Sequence, residues 1–258
     1  MSTSQVPDEQ AKIKLYWLEQ SRSQRILWLL EELDVQYDIE TFKRGKDMLA
    51  DPRLKEIHPL GKSPVVTVQA PGADQAMVLA ESGLITEYLS EHFGDWLTPK
   101  KYADGKQGQV GGETEEWIRY RYFMHYAEGS LMTLLLVGLL VQNIKNSPVP
   151  FFIKPLTGMI AGKINSMFLE PNLNTHFGFL ESQIASCPHG GDYLCGKELT
   201  GADVLMSFPL EVSKGRLGLV SEKYPKLCAY VDRLQARDAY KRAVQKIVEV
   251  EGSYKANL

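Results

Sequence analysis

The feature that most constrains the fold is a change of hydrophobic period near the start of the chain. "IKLYWL" places Ile13, Leu15 and Trp17 on one face with period 2. From Ser21 to Leu33 the period turns helical, with Ile26, Leu29, Leu30 and Leu33 in one stripe. "VQYDIETFK" then returns to period 2 through Val35, Tyr37, Ile39 and Thr41. A strand, a helix and a strand in that order imply a right-handed parallel crossover. A short helix candidate, "DPRLKEI", follows; then come "SPVVTV" and "AMVLA" about a turn at Pro71-Gly72, and a helix from about Ser82 to Phe93. The short turn makes the last two strands an antiparallel hairpin. The order β-α-β-α-β-β-α predicts an α/β domain with a small mixed sheet over residues 11–97.

Residues 98–112, "TPKKYADGKQGQVGG", are rich in glycine and lysine and lack hydrophobic periodicity, which predicts a linker. Beyond it every periodic stretch is helical, so residues 113–258 are expected to form an all-α domain. "ETEEWIRYRYFMHYAEGSLMTLLLVGLLVQ" reads as one long helix or two in succession. "LTGADVLMSFPLEV" begins with a capping box, Thr200 with Asp203 three residues on, flanked by Leu199 and Val204 as a hydrophobic staple. Residues 146–171, with Pro148, Pro150, Pro155 and Pro171, break the pattern and predict a turn-rich excursion.

Composition excludes several classes. A formal charge of −3 over 258 residues, with no basic stripe, argues against nucleic-acid binding. The polar N-terminus, "MSTSQVPDEQAK", is expected to be neither signal peptide nor anchor. The longest apolar stretch, "LMTLLLVGLLV", falls short of the roughly 20 residues that span a bilayer, so a buried helix and no membrane span are expected. The 3 cysteines, Cys187, Cys195 and Cys228, include no C-x-x-C, so neither a disulfide framework nor a metal site is expected. A reducing, cytoplasmic setting fits that usage.

"HPLGKSPVV", "VLAES", "AESGLITEYL", "YAEGSLM" and "LTGADVLMSFPL" occur in this order along the chain. Together they resemble the cytosolic glutathione transferase family, most of all its fungal members, with bacterial relatives. The resemblance covers nearly the whole chain from Ile13 onward. It implies a thioredoxin-like N-terminal domain joined to an all-helical one, a homodimer, and glutathione as co-substrate with no further cofactor. The implied activity is conjugation of glutathione to small hydrophobic electrophiles, with reduction of organic peroxides as a side activity. A non-catalytic glutathione-binding or interaction module of the same fold is the alternative. A thiol–disulfide oxidoreductase is disfavoured, because its cysteine would open the first helix and none precedes Cys187.

Glutathione carries two carboxylates, an ammonium and a thiol, so its recognition needs anion sites, a backbone-pairing edge and a group that stabilises thiolate. Ser82 opens a predicted helix, where unpaired N–H groups and the helix dipole favour a carboxylate; Glu81 beside it suits the ammonium. By resemblance Pro64 follows a cis peptide, and Ser63 presents its main chain to the cysteinyl backbone of glutathione. Lys62 is a further candidate contact.

A free thiol has a pKa near 8.5 and is only about 3% ionised at pH 7. Lowering that by about two units takes roughly 2.7 kcal/mol of preferential thiolate stabilisation. Two hydroxyls compete for the task. The Ser21-x-x-x-Arg25 spacing resembles the serine-type classes, and Tyr16 coincides with the tyrosine of the tyrosine-type classes. Each has a purely structural reading: Ser21 as a helix cap with Gln24 completing the box, with Ser23 as a rival for that cap, and Tyr16 as a packed strand residue. Ser21 is favoured, because fungal and bacterial members often carry another residue at the Tyr16 position. "WIRYRYFMHYAEGS" supplies Tyr122, His125 and Tyr126 as candidates for an electrophile pocket, against the alternative that the aromatic stripe is core.

Overall fold

The computed structural model describes residues 11–254. The N-terminal stretch read above as neither signal peptide nor anchor lies, up to residue 10, outside the described residues. Contacts divide the chain into two compact units. Among the described residues one holds 11–95 together with 238–254, and the other holds Trp96–Arg237.

The first unit contains β1 (Lys12–Leu18), α1 (Ser23–Glu32), β2 (Tyr37–Phe42), α2 (Leu54–Ile57), β3 (Val65–Gln69), β4 (Met77–Ala80) and α3 (Ser82–Phe93). Its sheet runs β2-β1-β3-β4. β1 and β2 are parallel, as the crossover requires; β3 pairs antiparallel with both β1 and β4. The register sets Ile13 opposite Val68 and Leu15 opposite Val66, so these buried residues share one face. The period-2 pattern fixes the other face too: Leu18 and Phe42 pack with Leu54 of α2, and Tyr16 and Ile57 lie against them.

One element joins this unit from the far end of the sequence. Helix α10 (Asp238–Glu251) packs on α1, with Trp28 and Tyr240 rings edge to face at 5.6 Å. Arg242 Nε donates to Glu31 Oε2 at 2.9 Å, Tyr37 donates its hydroxyl to Glu31, and Trp17 Nε1 donates to Glu251 Oε1 at 2.5 Å. Burial pushes the Glu31 carboxyl up, but the hydrogen bonds from Tyr37 and Arg242 and the Lys246 charge outweigh it and hold it below the usual range. The expectation that the helical domain runs to the end of the chain therefore differs from the contact division by α10. Periodicity shows that a helix has an apolar face and is silent about which partner covers it.

The second unit is helical: α4 (Glu115–Tyr126), α5 (Met132–Lys145), α6 (Lys154–Ile164), α7 (Glu170–Ala185), α8 (Gly201–Arg216) and α9 (Pro225–Ala236). Single π-turns, Ala127–Leu131 and Asn165–Leu169, join α4 to α5 and α6 to α7. Residues 98–112 hold no helix or strand; they are tied back by backbone bonds such as Ala103 N to Gly112 O at 2.9 Å. The turn-rich excursion expected over 146–171 is instead largely helical. Pro155 sits in the first turn of α6, where the missing N–H costs nothing, and Pro171 follows directly on the π-turn that carries α6 into α7. By length and composition alone the helical run Glu115–Lys145 could cross a bilayer, although Phe123, Leu131, Met132 and Leu135 are buried within the protein.

The α8 capping box forms as its spacing predicts. Asp203 is fully buried and accepts from Thr200 N at 2.8 Å, Thr200 Oγ1 at 2.8 Å, Leu194 N at 2.9 Å and the Tyr230 hydroxyl at 2.7 Å. Burial pushes its carboxyl above the ordinary value, opposed by these bonds. The staple residues Leu199 and Val204 are buried beside it. All three cysteines are free and buried.

Candidate functional site

The turn between β1 and α1 carries Ser21, and helix α1 begins two residues later, at Ser23. Ser21 Oγ accepts from Ser23 N at 3.2 Å, but the Ser21–Gln24 capping box does not form. The Gln24 side chain is buried, and its amide has no hydrogen-bond partner among the described residues. What occupies the helix start instead is a chain of hydroxyls. Ser21 Oγ donates to Ser23 Oγ at 3.1 Å, Ser23 Oγ and Ser63 Oγ are 2.5 Å apart, and Ser63 Oγ donates to Tyr16 O at 3.0 Å.

The direction of that chain follows from proton counting. A carbonyl only accepts and each serine has one hydroxyl hydrogen. The Ser63 hydrogen is committed to Tyr16 O, so Ser23 donates to Ser63 and Ser21 donates to Ser23. Ser21 is therefore the outermost donor of a one-way relay. It can turn its hydrogen from Ser23 to an incoming acceptor at the cost of that one bond, while the Ser23–Ser63–Tyr16 links stay in place and the Ser23 N–H still polarises its oxygen. Ser23 is fully buried, whereas Ser21 is partly exposed.

The second helix start is tied to the first. Arg25 is fully buried in α1 and donates from Nη2 to Ser82 Oγ at 2.9 Å. Because guanidinium only donates, Ser82 Oγ must accept there, so its own hydrogen is not used in that bond. The N-cap residue of α3 is Glu81, exposed, with no side-chain cap bond and with φ 72° and ψ 120°. That backbone conformation is rare for a residue with a Cβ, and such outliers cluster at functional sites. Pro64 follows a cis peptide after Ser63, as the resemblance implies, and Lys62 is exposed one residue earlier.

Tyr16 is placed differently. Strand alternation puts its side chain on the face opposite Leu15 and Trp17, where its ring lies 6.4 Å from that of Phe42. Its carbonyl, not its ring, joins the serine chain. Sequence reasoning missed Arg25 as the strut between α1 and α3, and Ser23 as the relay's middle. The available signal was an arginine set inside an otherwise apolar helix stripe.

In the helical unit, Tyr122 and Tyr126 stack with ring centroids 5.5 Å apart. Two residues of α7 join them: His176 Nδ1 lies 2.5 Å from the Tyr126 hydroxyl, and the Phe179 ring packs against both tyrosines. Burial raises the Tyr126 phenol and lowers the His176 imidazole. His125 is exposed on the same helix. His176 and Phe179 were not anticipated, since α7 lacks the dense aromatic run of α4.

Together, a mixed four-stranded sheet, a cis-proline loop and two coupled helix starts define a thioredoxin-like domain, accompanied by a helical domain. Residues 11–91 match the glutathione S-transferase N-terminal domain family, and residues 162–238 match its C-terminal domain family. The chain is 33% identical over 234 residues to glutathione S-transferase 1 of Saccharomyces cerevisiae, which covers 91% of this chain and 94% of that one. A glutathione S-transferase structure from Actinobacillus pleuropneumoniae is 27% identical, with a TM-score of 0.63 and coverage of 91% and 92%. The glutathione transferase URE2P8 of Phanerochaete chrysosporium, solved with oxidised glutathione, shares the fold at a TM-score of 0.66 and 15% identity, covering 95% and 99%. This chain belongs to the glutathione transferase family.

Proposed function

We propose that the protein conjugates the glutathione thiolate to small hydrophobic electrophiles and reduces organic peroxides as a side activity. The observation that carries this reading is the coupling of two helix starts. Arg25 leaves Ser82 with a hydrogen to offer a carboxylate, and Ser21, the outermost donor of the serine relay, can turn its hydrogen from Ser23 to a sulfur. In this reading Ser82 and the α3 amides hold the γ-glutamyl carboxylate, Glu81 meets its ammonium, Ser63 before Pro64 pairs with the cysteinyl backbone, and Lys62 meets the glycine end. Ser21 donates to the thiolate, aided by the N-terminal amides of α1. Tyr16 keeps a packing role.

Catalysis then comes from thiolate generation and proximity. The nucleophilic sulfur forms a bond to the electrophilic carbon as the leaving group departs. In peroxide reduction two glutathiones give up two electrons to the O–O bond, yielding disulfide, alcohol and water. Tyr122, His125 and Tyr126 are the electrophile-side candidates. The setting is cytoplasmic, the form is a homodimer, and glutathione is the only small-molecule helper the chemistry requires.

A panel of aromatic halides and organic hydroperoxides with glutathione tests this. Turnover of at least one class, lost without glutathione, is expected. Retention on immobilised glutathione with no turnover of any substrate would favour the non-catalytic binding module instead.

A further inference from the structure

Helix α6 is built the wrong way round for a helix of a soluble core. Of its residues only Ala161 is buried. Leu156, Met159 and Ile160 recur at helical spacing on the solvent side, and Met159 is 64% exposed. A helix of this length has little stability of its own in water, so its outward apolar stripe calls for a partner. Helix α5 presents a parallel case through Leu136, Leu140 and Ile144, spaced four apart, with Leu140 at 60% exposure. The segment joining the two helices exposes Phe151 at 83% and Phe152 at 68%.

Charge says what that partner is. The chain has 32 acidic residues in 258, about one in eight, yet residues 129–169 contain none. The charged residues in that stretch are Lys145, Lys154 and Lys163, all exposed, at the ends of α5 and α6. An apolar hairpin whose own charged residues are all cations, with the next acid along the chain, the exposed Glu170, at the far end where α7 begins, suits the headgroup boundary of an anionic bilayer, where aromatic rings reach the acyl region and ammonium groups meet phosphates. A second copy of this chain fits poorly. A two-fold contact would press the same patch against itself and bring lysine toward lysine.

We propose that the α5–α6 hairpin is a peripheral membrane-docking surface for anionic lipid. Phe151 and Phe152 enter the interface, and Lys145, Lys154 and Lys163 hold the headgroups. The longer helical runs to which α5 and α6 belong bury Phe123, Leu131 and Leu135 on one side and Leu173, Phe177 and Leu180 on the other within the protein, so the hairpin lies on the bilayer and does not span it.

Flotation of the full chain with vesicles tests this. One set is pure phosphatidylcholine, and the other carries about a third phosphatidylserine. The protein should float with the second set and much less with the first. F151E/F152E should lower partitioning about tenfold or more, with an unchanged melting curve and unchanged glutathione transferase turnover in vesicle-free buffer. K145Q/K154Q/K163Q should lower it by on the order of a hundredfold, roughly fivefold for each lysine, and added salt should act in the same direction. No flotation above the vesicle-free control, equal flotation on both lipid sets, or F151E/F152E floating like the parent would each overturn the proposal. So would a fall in oligomeric mass of F151E/F152E by sedimentation velocity, which would assign the patch to a second copy.

Discussion

At the start of α8, Asp203 receives four hydrogen bonds from the chain around it, and the helix end is closed. At the starts of α1 and α3 the buried side chains are just as polar, but neither N-cap residue makes a side-chain cap bond. There the Ser82 hydroxyl accepts from Arg25 and keeps its own hydrogen, and Ser21 gives its hydrogen only to the neighbouring Ser23 hydroxyl. A helix start that satisfies itself is a structural device. One that stops a donor short is, in the proposed function, a place for an anion. Both read alike in sequence, as a small hydroxylic residue before an apolar helix.

The comparison is most easily broken at the closed end. Asp203→Ala leaves the buried donors of Leu194, Thr200 and Tyr230 without an acceptor, at a cost of about 3 kcal/mol or more. Thermal unfolding should show that loss, while turnover per folded molecule stays near that of the parent. Lost turnover at an unchanged melting temperature would move α8 into the functional class.

At the open end the signs should reverse. Ser82→Ala should weaken glutathione binding by about 1–3 kcal/mol, the range for a hydrogen bond to a charged group. Calorimetric titration measures this, and the melting temperature of the free protein should change little. A large stability loss with unchanged affinity would make Ser82 another closed cap.

A smaller effect is expected where α10 meets α1. Glu31 has a depressed carboxyl value, so its contribution is full above the ordinary value of 4.5 and is lost as the pH falls through the depressed one. Glu31→Gln should cost roughly 1 kcal/mol at neutral pH and flatten that acid limb. Urea unfolding at several pH values between neutral and acid tests both, and parallel curves for the two proteins would contradict the assignment.

The order of strands and helices in the first unit was legible because half-buried strands and one-sided helices stamp their periods on the chain. The α8 cap was legible because both of its members are local. Three features were not. Helix α6 hides behind prolines that also mark turns, and its exposed stripe offers no buried face to read. The attachment of α10 depends on a partner more than two hundred residues away, as Arg242 with Glu31 shows. The serine relay depends on Ser63 reaching back to Ser23 across the sheet end, a contact with no trace in spacing. The candidate residues could be named from their types and from family resemblance, but the direction in which their protons point needed coordinates.

The central claim is that Ser21, the outer end of the relay, stabilises the thiolate. The direct measurement is the thiolate absorbance of bound glutathione against pH, in the parent, Ser21→Ala and Tyr16→Phe proteins. In Ser21→Ala the thiol pKa should rise by about one unit or more toward its free value near 8.5, with glutathione affinity little changed. Tyr16→Phe should titrate like the parent. A rise in Tyr16→Phe with none in Ser21→Ala would contradict the account and leave the serine relay as scaffolding.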